Sequence, residues 1–456
     1  MKRYTFLVLF YSYLFFFFFI PQPNVLCGQF EELSKEYDLL STVAGKGKQD
    51  GGNCWLEKFE GGNAIEAELS RPHFAMADKI GNIYIADKEA HAIRKVTPEG
   101  RITTYAGTNR AGDGADKGIS ATDCDLSSPN GLWVKQDGTV FILDLGNSKI
   151  RRVSPGGEIN TILHDEKGFG LGRGLWVSDD EQTIYYSCTS EIRKWTASSG
   201  KSISYAGGFS GLSNIIADPS GYIVATDRSL HRVYRIISED TKKVIAGSGL
   251  TSGGTNGGDA LDMGLNGVRA VWFYPDGSFL VGTHEGSQVW YIDTIGTINL
   301  FLDGMKDDDC YAGDGENFLT SGKKISEVRS VSMDIKGNVL IVENDQGHIR
   351  KVCKRSSGII EHSFVKKLKA KMYVVLKFGK IIITINNEHV INNCEISLYD
   401  IMGKEFNRMT HKLLPVGKHR FIYDNGLQLG NGCYVVHMQS DNTTFMRQNM
   451  IVTRIR

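Results

Sequence analysis

The stretch LSRPHFAMADKIGNIYIADKEAHAIRKVTPEGRITTYAG, from Leu69 to Gly107, decides how this chain folds. It contains four apolar runs separated by Gly, Pro, Asp and Asn, so it predicts four short antiparallel strands joined by turns. In the runs HFAMA and IYIA, the positions that face either side of the strand are apolar, which indicates a sheet that is covered on both faces. Sheets arranged radially around an axis cover one another in this way, so the unit is typical of a β-propeller blade.

The third strand of this unit recurs along the chain. Six near-copies follow one another at intervals of roughly 40 to 60 residues, which is a spacing typical of repeat architectures. They are IRKV at 93, IRRV at 150, IRKW at 192, VYRI at 233, VWYI at 289 and IRKV at 349. The sequence therefore predicts six blades.

The N-terminal segment LLSTVAG, from Leu39 to Gly45, matches the last strand of the unit (ITTYAG, 102–107) but has no first three strands of its own. It is predicted to complete the sixth blade, because an N-terminal strand in that place closes the ring and removes its open edge. The segment from Gly358 to Phe364 is the alternative closing strand.

Several of these segments resemble the NHL-repeat family of six-bladed propellers. The matching residues are GGNAIEAELSRP (61–72), GNIYIAD, HAIRKV and TYAG, with GDG at 112–114 and GDGE at 313–316. The resemblance covers roughly residues 39 to 354 and implies an all-β, six-bladed propeller. That family includes protein binders, RNA binders and a few metal-dependent lyases, so the fold alone does not assign an activity.

The N-terminus predicts export. The basic start MKR and the apolar run from Tyr4 to Ile20 indicate a signal peptide over residues 1–28, so the protein is expected to be secreted or held at the cell surface. The alternative is an uncleaved membrane anchor, because a bilayer is spanned by about 20 residues. Contact with a membrane is expected only through such an anchor or through surface attachment.

The repeat ends at Cys353, which gives a propeller domain over 29–353 and a Lys-rich linker over 354–372. Residues 373–456 alternate in polarity and predict a small immunoglobulin-like β-sandwich. They resemble the C-terminal sorting domains of the type IX secretion system through EISLYDIMGKEF (395–406), LPVGKHRFIYD (414–424) and LGNGCYVVHM (429–438). The resemblance implies the secretion machinery as a partner; an ordinary accessory sandwich is the alternative.

The charge differs between the two parts of the chain. Residues 29–360 contain 36 Lys and Arg against 45 Asp and Glu, whereas residues 361–456 contain 14 against 7. Affinity for a phosphate backbone depends on clustered cations, so an acidic propeller is not expected to bind nucleic acid.

One column of residues differs from the apolar pattern. The first position of each innermost strand is polar, and these six side chains should surround one mouth of the central channel. They are His73, Asn130, Arg173, Ser213, Arg269 and Arg329. The long loops between blades are expected to rise around the same mouth, at 46–68, 108–125, 248–264 and 304–324.

The residues fourteen positions further on should face this column. They are Asp87, Asp144, Ser187, Asp227, Thr283 and Glu343. The spacing predicts internal pairs of His73 with Asp87 and of Arg329 with Glu343, and it leaves Arg173 and Arg269 without a carboxylate in their own blades.

Arginines without a carboxylate suit a planar anion, because a guanidinium donates two parallel hydrogen bonds to a carboxylate, sulfate or phosphate. The loop aromatics Trp55 and Tyr311 could add a stacking surface. The predicted ligand is extracellular and anionic, such as an acidic glycan or a carboxylate-bearing end of a protein or peptide. The alternative is that loop carboxylates neutralise both arginines.

Metal and enzyme chemistry receive weaker support. The loop KDDDCYAGDGE (306–316) offers calcium the oxygen ligands Asp307, Asp308, Asp309, Asp314 and Glu316, with a solvated acidic turn as the alternative. No other cofactor is indicated. The lyases of the family hold zinc through several channel histidines, and here the column contains one. A binding protein is therefore favoured over the alternative, a metal-dependent lyase or hydrolase acting at the channel.

Two further sets of residues recur in the repeat, and both are expected to be structural. The histidines His91, His231 and His348 precede third strands, and Trp133, Trp176 and Trp272 are predicted to pack between blades.

Overall fold

Six β-sheets surround a central axis in the order of the chain. The computed structural model describes residues 29–47, 52–305, 314–316, 325–354, 370–377, 380–387, 391–400, 405–423, 432–440 and 443–452. Each innermost strand contacts those of the neighbouring blades, and the innermost strand of blade six contacts that of blade one. The predicted six-bladed propeller is confirmed.

Each blade contains four antiparallel strands, which are consecutive along the chain in the first five blades; in blade six the fourth is the N-terminal strand. From the axis to the rim, the strands of the first three blades are Pro72–Ala77, Ile83–Asp87, Ala92–Val96 and Arg101–Ala106 in blade one; Pro129–Val134, Val140–Asp144, Lys149–Val153 and Glu158–His164 in blade two; Leu175–Val177, Thr183–Ser187, Ile192–Thr196 and Lys201–Ala206 in blade three. Those of the other three are Leu212–Ala217, Ile223–Asp227, Arg232–Ser238 and Thr241–Ala246 in blade four; Val268–Phe273, Phe279–Thr283, Gln288–Ile292 and Thr297–Leu302 in blade five; Val328–Met333, Val339–Glu343, His348–Lys354 and Tyr37–Ala44 in blade six.

The ring is closed by the N-terminal strand. Tyr37–Ala44 pairs antiparallel with His348–Lys354, with Leu40 opposite Val352. It takes the place for which Gly358–Phe364 was the alternative, a segment that lies outside the described residues. The helix Gln29–Lys35 precedes this strand, and its Phe30 ring lies 5.7 Å from that of Tyr291 in blade five. The first strand of the propeller is thus held by the last two blades.

The long loops serve partly as edge protection. Four of them contribute a two-residue strand that pairs with an outermost strand: Gly62–Asn63, Ile119–Ser120, Gly258–Asp259 and Gly315–Glu316. The connections also contain short 3-10 helices at Glu57–Phe59, Ala64–Glu66, Lys88–Ala90, Ala121–Asp123 and Leu145–Asn147. The prediction placed these loops around the mouth, whereas part of each covers the rim, where an unpaired strand edge would otherwise be exposed.

Apolar side chains fill the space between neighbouring blades. Ile85 and Val96 of blade one pack in one cluster with Leu340 and Val342 of blade six, and all four are almost fully buried. Burial on both faces explains why the second strands are continuous apolar runs, and removal of this surface from water is the main source of stability.

Three tryptophans of the innermost strands meet one another. The ring of Trp133 lies 6.2 Å from that of Trp176 and 6.2 Å from that of Trp272. Blades two and five stand on opposite sides of the ring, so the contact between Trp133 and Trp272 crosses the channel. The prediction placed these rings between blades, but they also pack on each other across the axis.

The described part of the tail forms two antiparallel sheets. The first contains Ala370–Lys377, Lys380–Asn387 and Gly417–Tyr423; the second contains Ile391–Asp400, Glu405–Leu414, Gly432–Ser440 and Thr443–Val452. The first strand begins three residues before the predicted boundary at 373. The immunoglobulin-like sandwich and its sorting role stay predictions, and the predicted signal peptide lies outside the described residues.

Candidate functional site

The column of polar residues coincides with a break in strand register. In blade one, Pro72 pairs with Asp87 and the next pair is Phe74 with Ala86, so His73 has no partner. The same shift leaves Asn130, Arg269 and Arg329 without a cross-strand partner in their blades. In blade four the register shift is wider, and both Ser213 and Asn214 lack a cross-strand partner. Such β-bulges change the direction of a side chain, so these residues are turned out of the blade plane.

The bulges overturn two predicted pairs, His73 with Asp87 and Arg329 with Glu343. Because each bulge adds a residue, Asp87 lies opposite Pro72 and Glu343 opposite Val328. The carboxylates instead face the third strand of their own blade.

The partner of each carboxylate is the arginine of the IRKV motif. Arg94 Nε lies 3.2 Å from Asp87, and Arg350 Nη1 lies 2.9 Å from Glu343. In blade two, Arg151 Nε lies 3.1 Å from Asp144. All six side chains are fully buried. The signal for these pairs was present in the sequence, since an acidic residue ends the second strand wherever IRKV or IRRV forms the third.

In blades three and five the second strand ends in a hydroxyl residue, Ser187 or Thr283, and the bulge places Thr283 opposite Val268 rather than Arg269. Ser187 Oγ accepts hydrogen bonds from the backbone N–H groups of Arg173 and Gly174, at 2.9 and 2.8 Å. Thr283 Oγ1 is engaged within its own hairpin, where it accepts from the backbone N–H of Gln288. Neither hydroxyl neutralises an arginine of the column.

Two arginines of the column share one buried carboxylate that the sequence pattern did not predict. Glu327 lies just before the innermost strand of blade six, with Arg329 Nη2 at 2.9 Å and Arg269 Nη1 at 3.9 Å. His284 Nε2 also contacts it. Glu327 precedes its strand and His284 follows one, so neither belongs to the repeat positions that could be aligned.

Arg173 is the least compensated of the three column arginines. Its Nε and Nη1 atoms are buried and, among the described residues, have no hydrogen-bond partner. Burial lowers the pKa of Arg173 to about 10, the positive charge of Arg228 adds to this effect, and Glu327 opposes it. Gly131 positions Arg173 closely, because a Cβ at Gly131 would lie 2.2 Å from the Arg173 carbonyl oxygen.

Arg329 and His73 experience the same positive field. Burial lowers the pKa of Arg329 to about 9, and repulsion by Arg173 contributes next. Burial also lowers the pKa of His73 well below its usual value, with Arg329 and Arg173 acting in the same direction. Its Nδ1 lies 2.9 Å from the Arg71 carbonyl oxygen. His73 is therefore a neutral imidazole at pH 7, and Asn130 and Ser213 are buried neutral members of the ring.

Trp55 packs on an arginine of blade one. Its ring centre is 3.6 Å from Arg94 Cζ, its indole N–H donates to Glu60 Oε1 at 3.1 Å, and it packs edge-on against Phe59. The residue is 9% exposed. The ring covers a buried blade arginine through a cation–π contact, and its role as a ligand-stacking aromatic stays a prediction. Tyr311 lies outside the described residues.

The acidic glycine-rich loops also contact IRKV arginines. Asp314 accepts from Thr42 Oγ1 at 2.8 Å and lies 3.3 Å from Arg350, and Asp113 lies 2.6 Å from Arg151. Across the described residues, no three His, Cys, Asp or Glu side chains are grouped to hold a metal ion. Glu316 is in a short edge strand, while Asp307, Asp308 and Asp309 lie outside the described residues. Calcium binding stays a prediction.

Two of the repeat histidines connect neighbouring blades. His91 Nδ1 accepts from the backbone N–H of Ser128 at 3.0 Å, and His231 Nδ1 accepts from that of Gly267 at 2.9 Å. His348 Nδ1 lies 3.0 Å from the Gly45 carbonyl oxygen, beside the closing strand. These contacts agree with the predicted structural role.

Comparison with known proteins supports the fold. A sequence profile of the Teneurin NHL domain matches residues 63–154. The chain is 37% identical over 114 residues to Protein SUPPRESSOR OF QUENCHING 1, chloroplastic, of Arabidopsis thaliana; this covers 24% of the chain and 10% of that protein. The chain thus spans only a small part of this relative.

Two solved structures share the architecture. A structural genomics protein of unknown function from Bacteroides thetaiotaomicron superposes with a TM-score of 0.54 and 14% identity, over 69% of this chain and 75% of that one. An auxiliary nutrient binding protein from Bacteroides ovatus superposes with a TM-score of 0.52 and 14% identity, over 70% and 77%. Together with the profile match, the six blades support an NHL-type propeller.

Proposed function

We propose that this protein is a secreted or cell-surface binding protein that uses the channel mouth of its propeller to hold an anionic ligand, an acidic glycan or a carboxylate-bearing peptide end. The observation that carries the proposal is Arg173, whose buried Nε and Nη1 have no hydrogen-bond partner among the described residues. A buried cation without a partner is unfavourable, so a ligand carboxylate that accepts from it gains a strong, charge-assisted hydrogen bond.

The balance of charge at the mouth supports an anion. Arg329 pairs with Glu327, and Arg228 lies 2.7 Å from Glu285. Arg269 approaches Glu327 only to 3.9 Å, and its Nε and Nη1 are also buried without hydrogen bonds in the described structure. Arg173 and Arg269 therefore keep positive charge and donors for a ligand carboxylate. The alternative is that carboxylates neutralise the mouth arginines. A carboxylate at hydrogen-bond distance is present at Arg329, but Arg173 Nε and Nη1 have none among the described residues.

The surroundings of the propeller fit a role outside the cell. The apolar N-terminal run is typical of a signal peptide, and the tail resembles a sorting domain that would engage the secretion machinery. No helix among the described residues has the length and apolar character needed to cross a membrane. A solved protein of the same fold is described as an auxiliary nutrient binding protein. Binding of an external nutrient glycan is consistent with these features.

The test is titration calorimetry of the purified full chain with acidic and neutral glycans and with carboxylate-bearing peptides. Acidic ligands should bind, and Arg173→Ala and Arg269→Ala should each weaken binding by at least about tenfold, the usual effect of removing a charge-assisted hydrogen bond. Arg101→Ala is the control, because Arg101 is an exposed residue on the outermost strand of blade one. Binding that is unchanged in both mouth variants would rule out this site.

A further inference from the structure

Two amide side chains beside the mouth arginines have a fixed orientation. Asn130 Nδ2 donates to the Gly172 carbonyl oxygen at 2.9 Å, and Asn344 Nδ2 donates to the Pro72 carbonyl oxygen at 2.9 Å. A carbonyl oxygen only accepts, so the nitrogen of each amide must point to the backbone and the oxygen must point away. Both Oδ1 atoms are buried and have no hydrogen-bond partner in the described part of the chain.

Each amide lies beside a residue of the polar column or its immediate neighbour. Asn130 donates to Gly172, the residue before Arg173. Asn344 Nδ2 lies 3.3 Å from His73 Nδ1, and the charges of Arg329 and Arg173 act on the same imidazole. The mouth thus presents buried arginine donors together with two neutral acceptors.

The two kinds of group require different partners on one ligand. The donors are Arg173 Nε and Nη1, Arg269 Nε and Nη1, and Arg329 Nε, all buried without a hydrogen-bond partner among the described residues. They suit a carboxylate. The amide oxygens need hydrogen-bond donors, and a buried acceptor left without one is costly.

The donors on the ligand should be neutral. An ammonium group beside Asn130 or Asn344 would be repelled by the mouth arginines, and Lys88 adds further positive charge near His73. Sulfate supplies acceptors but no donor. Hydroxyl groups satisfy the amide oxygens without adding charge.

From this pattern we infer that the mouth binds a carboxylate that also carries hydroxyl groups, which is the chemistry of a uronic acid in an acidic glycan. The inference rests on the proposed function and narrows its ligand class: the arginines hold the carboxylate and the two asparagines select for hydroxyls. It separates an acidic glycan, which carries several hydroxyls on each sugar ring, from a peptide end, whose main chain offers one N–H next to the carboxylate.

The test is made on the full, unmodified chain, and its central comparison is between two monoanions that differ in their hydroxyl groups. D-galacturonate, tetrahydropyran-2-carboxylate and sulfate are titrated by calorimetry, with tri-galacturonate as a fourth arm that separates a monosaccharide site from one for a chain end. The uronate should bind at least about tenfold more tightly than the carboxylate without hydroxyls, as expected when unsatisfied buried acceptors gain donors. Equal affinities of the two would overturn the inference and leave the anion site intact. A folded protein that binds neither would overturn the proposed function itself.

Variants assign the selectivity to the asparagines. Asn130→Ala and Asn344→Ala should each reduce the preference for galacturonate over tetrahydropyran-2-carboxylate by at least about threefold. Arg173→Ala should lower the affinity for both ligands by the same factor. Asn160→Ala, in the outermost strand of blade two, is the matched control. Thermal unfolding of each variant shows whether it folds, and full preference retained in both folded mouth variants would overturn the assignment.

Discussion

Two sets of buried arginines in this propeller differ in how their charge is balanced. The blade arginines, Arg94, Arg151 and Arg350, lie on third strands. Each has a fully buried carboxylate from its own second strand, and Arg151 and Arg350 also contact an aspartate from a glycine-rich loop. The mouth arginines, Arg173, Arg269 and Arg329, stand at or just before the start of innermost strands. Glu327 lies near Arg269 and Arg329, and Asp345 lies 3.9 Å from Arg329.

The blade arginines therefore stabilise the fold, whereas the mouth arginines are buried at a cost to its stability. Removing a guanidinium from water is costly unless hydrogen bonds and an opposite charge replace the lost hydration. The blade arginines meet this condition within the repeat, so the motif is copied with its carboxylate. The mouth arginines do not meet it, and unfavourable placement of this kind is concentrated where a protein binds something else.

The largest expected effect comes from breaking a blade pair. Arg151→Ala leaves Asp144 buried without its partner, and such a loss typically destabilises a protein by about 3–5 kcal/mol. The measurement is the free energy of unfolding of the propeller in urea. Arg152→Ala is the control, because the neighbouring Arg152 is partly exposed and pairs with Glu181 at 2.8 Å. That variant should lose less than about 1 kcal/mol.

Similar losses in the two variants would contradict the distinction. The double variant Asp144→Leu with Arg151→Met gives a further check, since replacing both partners by apolar groups leaves no buried charge. It should be clearly more stable than Arg151→Ala. If the double variant is the less stable one, the carboxylate is not what makes the single substitution costly.

Much of the fold could be predicted from local, repeated signals. Turn residues and apolar runs located the four strands of blade one, and the IRKV copies located the other blades, because both follow from the alternation of a pleated strand. LLSTVAG could be recognised as the closing strand because it copies the last strand of the unit. The polar column was found for the same reason, as an exception to a repeated pattern.

The contacts within the site could be predicted less well. One bulged residue, such as His73, shifts every cross-strand partner by one position, and no residue type in the segment signals it. Glu327 and His284 come from positions outside the repeat. Trp55 lies in a loop whose path depends on tertiary contacts with Arg94. Register and loop path are set by tertiary structure, so periodicity alone does not reveal them.

A smaller effect should follow from acidifying the mouth. His73 has a pKa of about 6.5 in the unfolded chain and one well below that in the fold, through burial and then Arg329 and Arg173. The unfolded state therefore binds more protons below pH 6.5, so stability is lost as pH falls from that value. His73→Gln should lose less stability between pH 7.5 and 5, with a difference of at most about 1.4 kcal/mol per pH unit.

The midpoint of thermal unfolding, measured at several pH values, tests this expectation. Burial also lowers the pKa of His348, beside the closing strand, so the wild type retains pH dependence from that source in either case. His348→Gln serves as the comparison, because its effect should not change when a mouth ligand is present. Parallel pH curves for the wild type and His73→Gln would show that His73 does not titrate as described.

The smallest change is expected from removing a mouth arginine. Arg173→Met keeps most of the side-chain volume and removes a buried cation that lacks a hydrogen-bond partner at Nε and Nη1 among the described residues. Stability without ligand should stay the same or rise by up to about 1 kcal/mol, because no buried carboxylate loses its partner. The urea experiment used for Arg151→Ala measures this directly. A loss of stability as large as that of Arg151→Ala would mean that Arg173 stabilises the fold in the way the blade arginines do. The main argument for a binding site at the mouth would then fail.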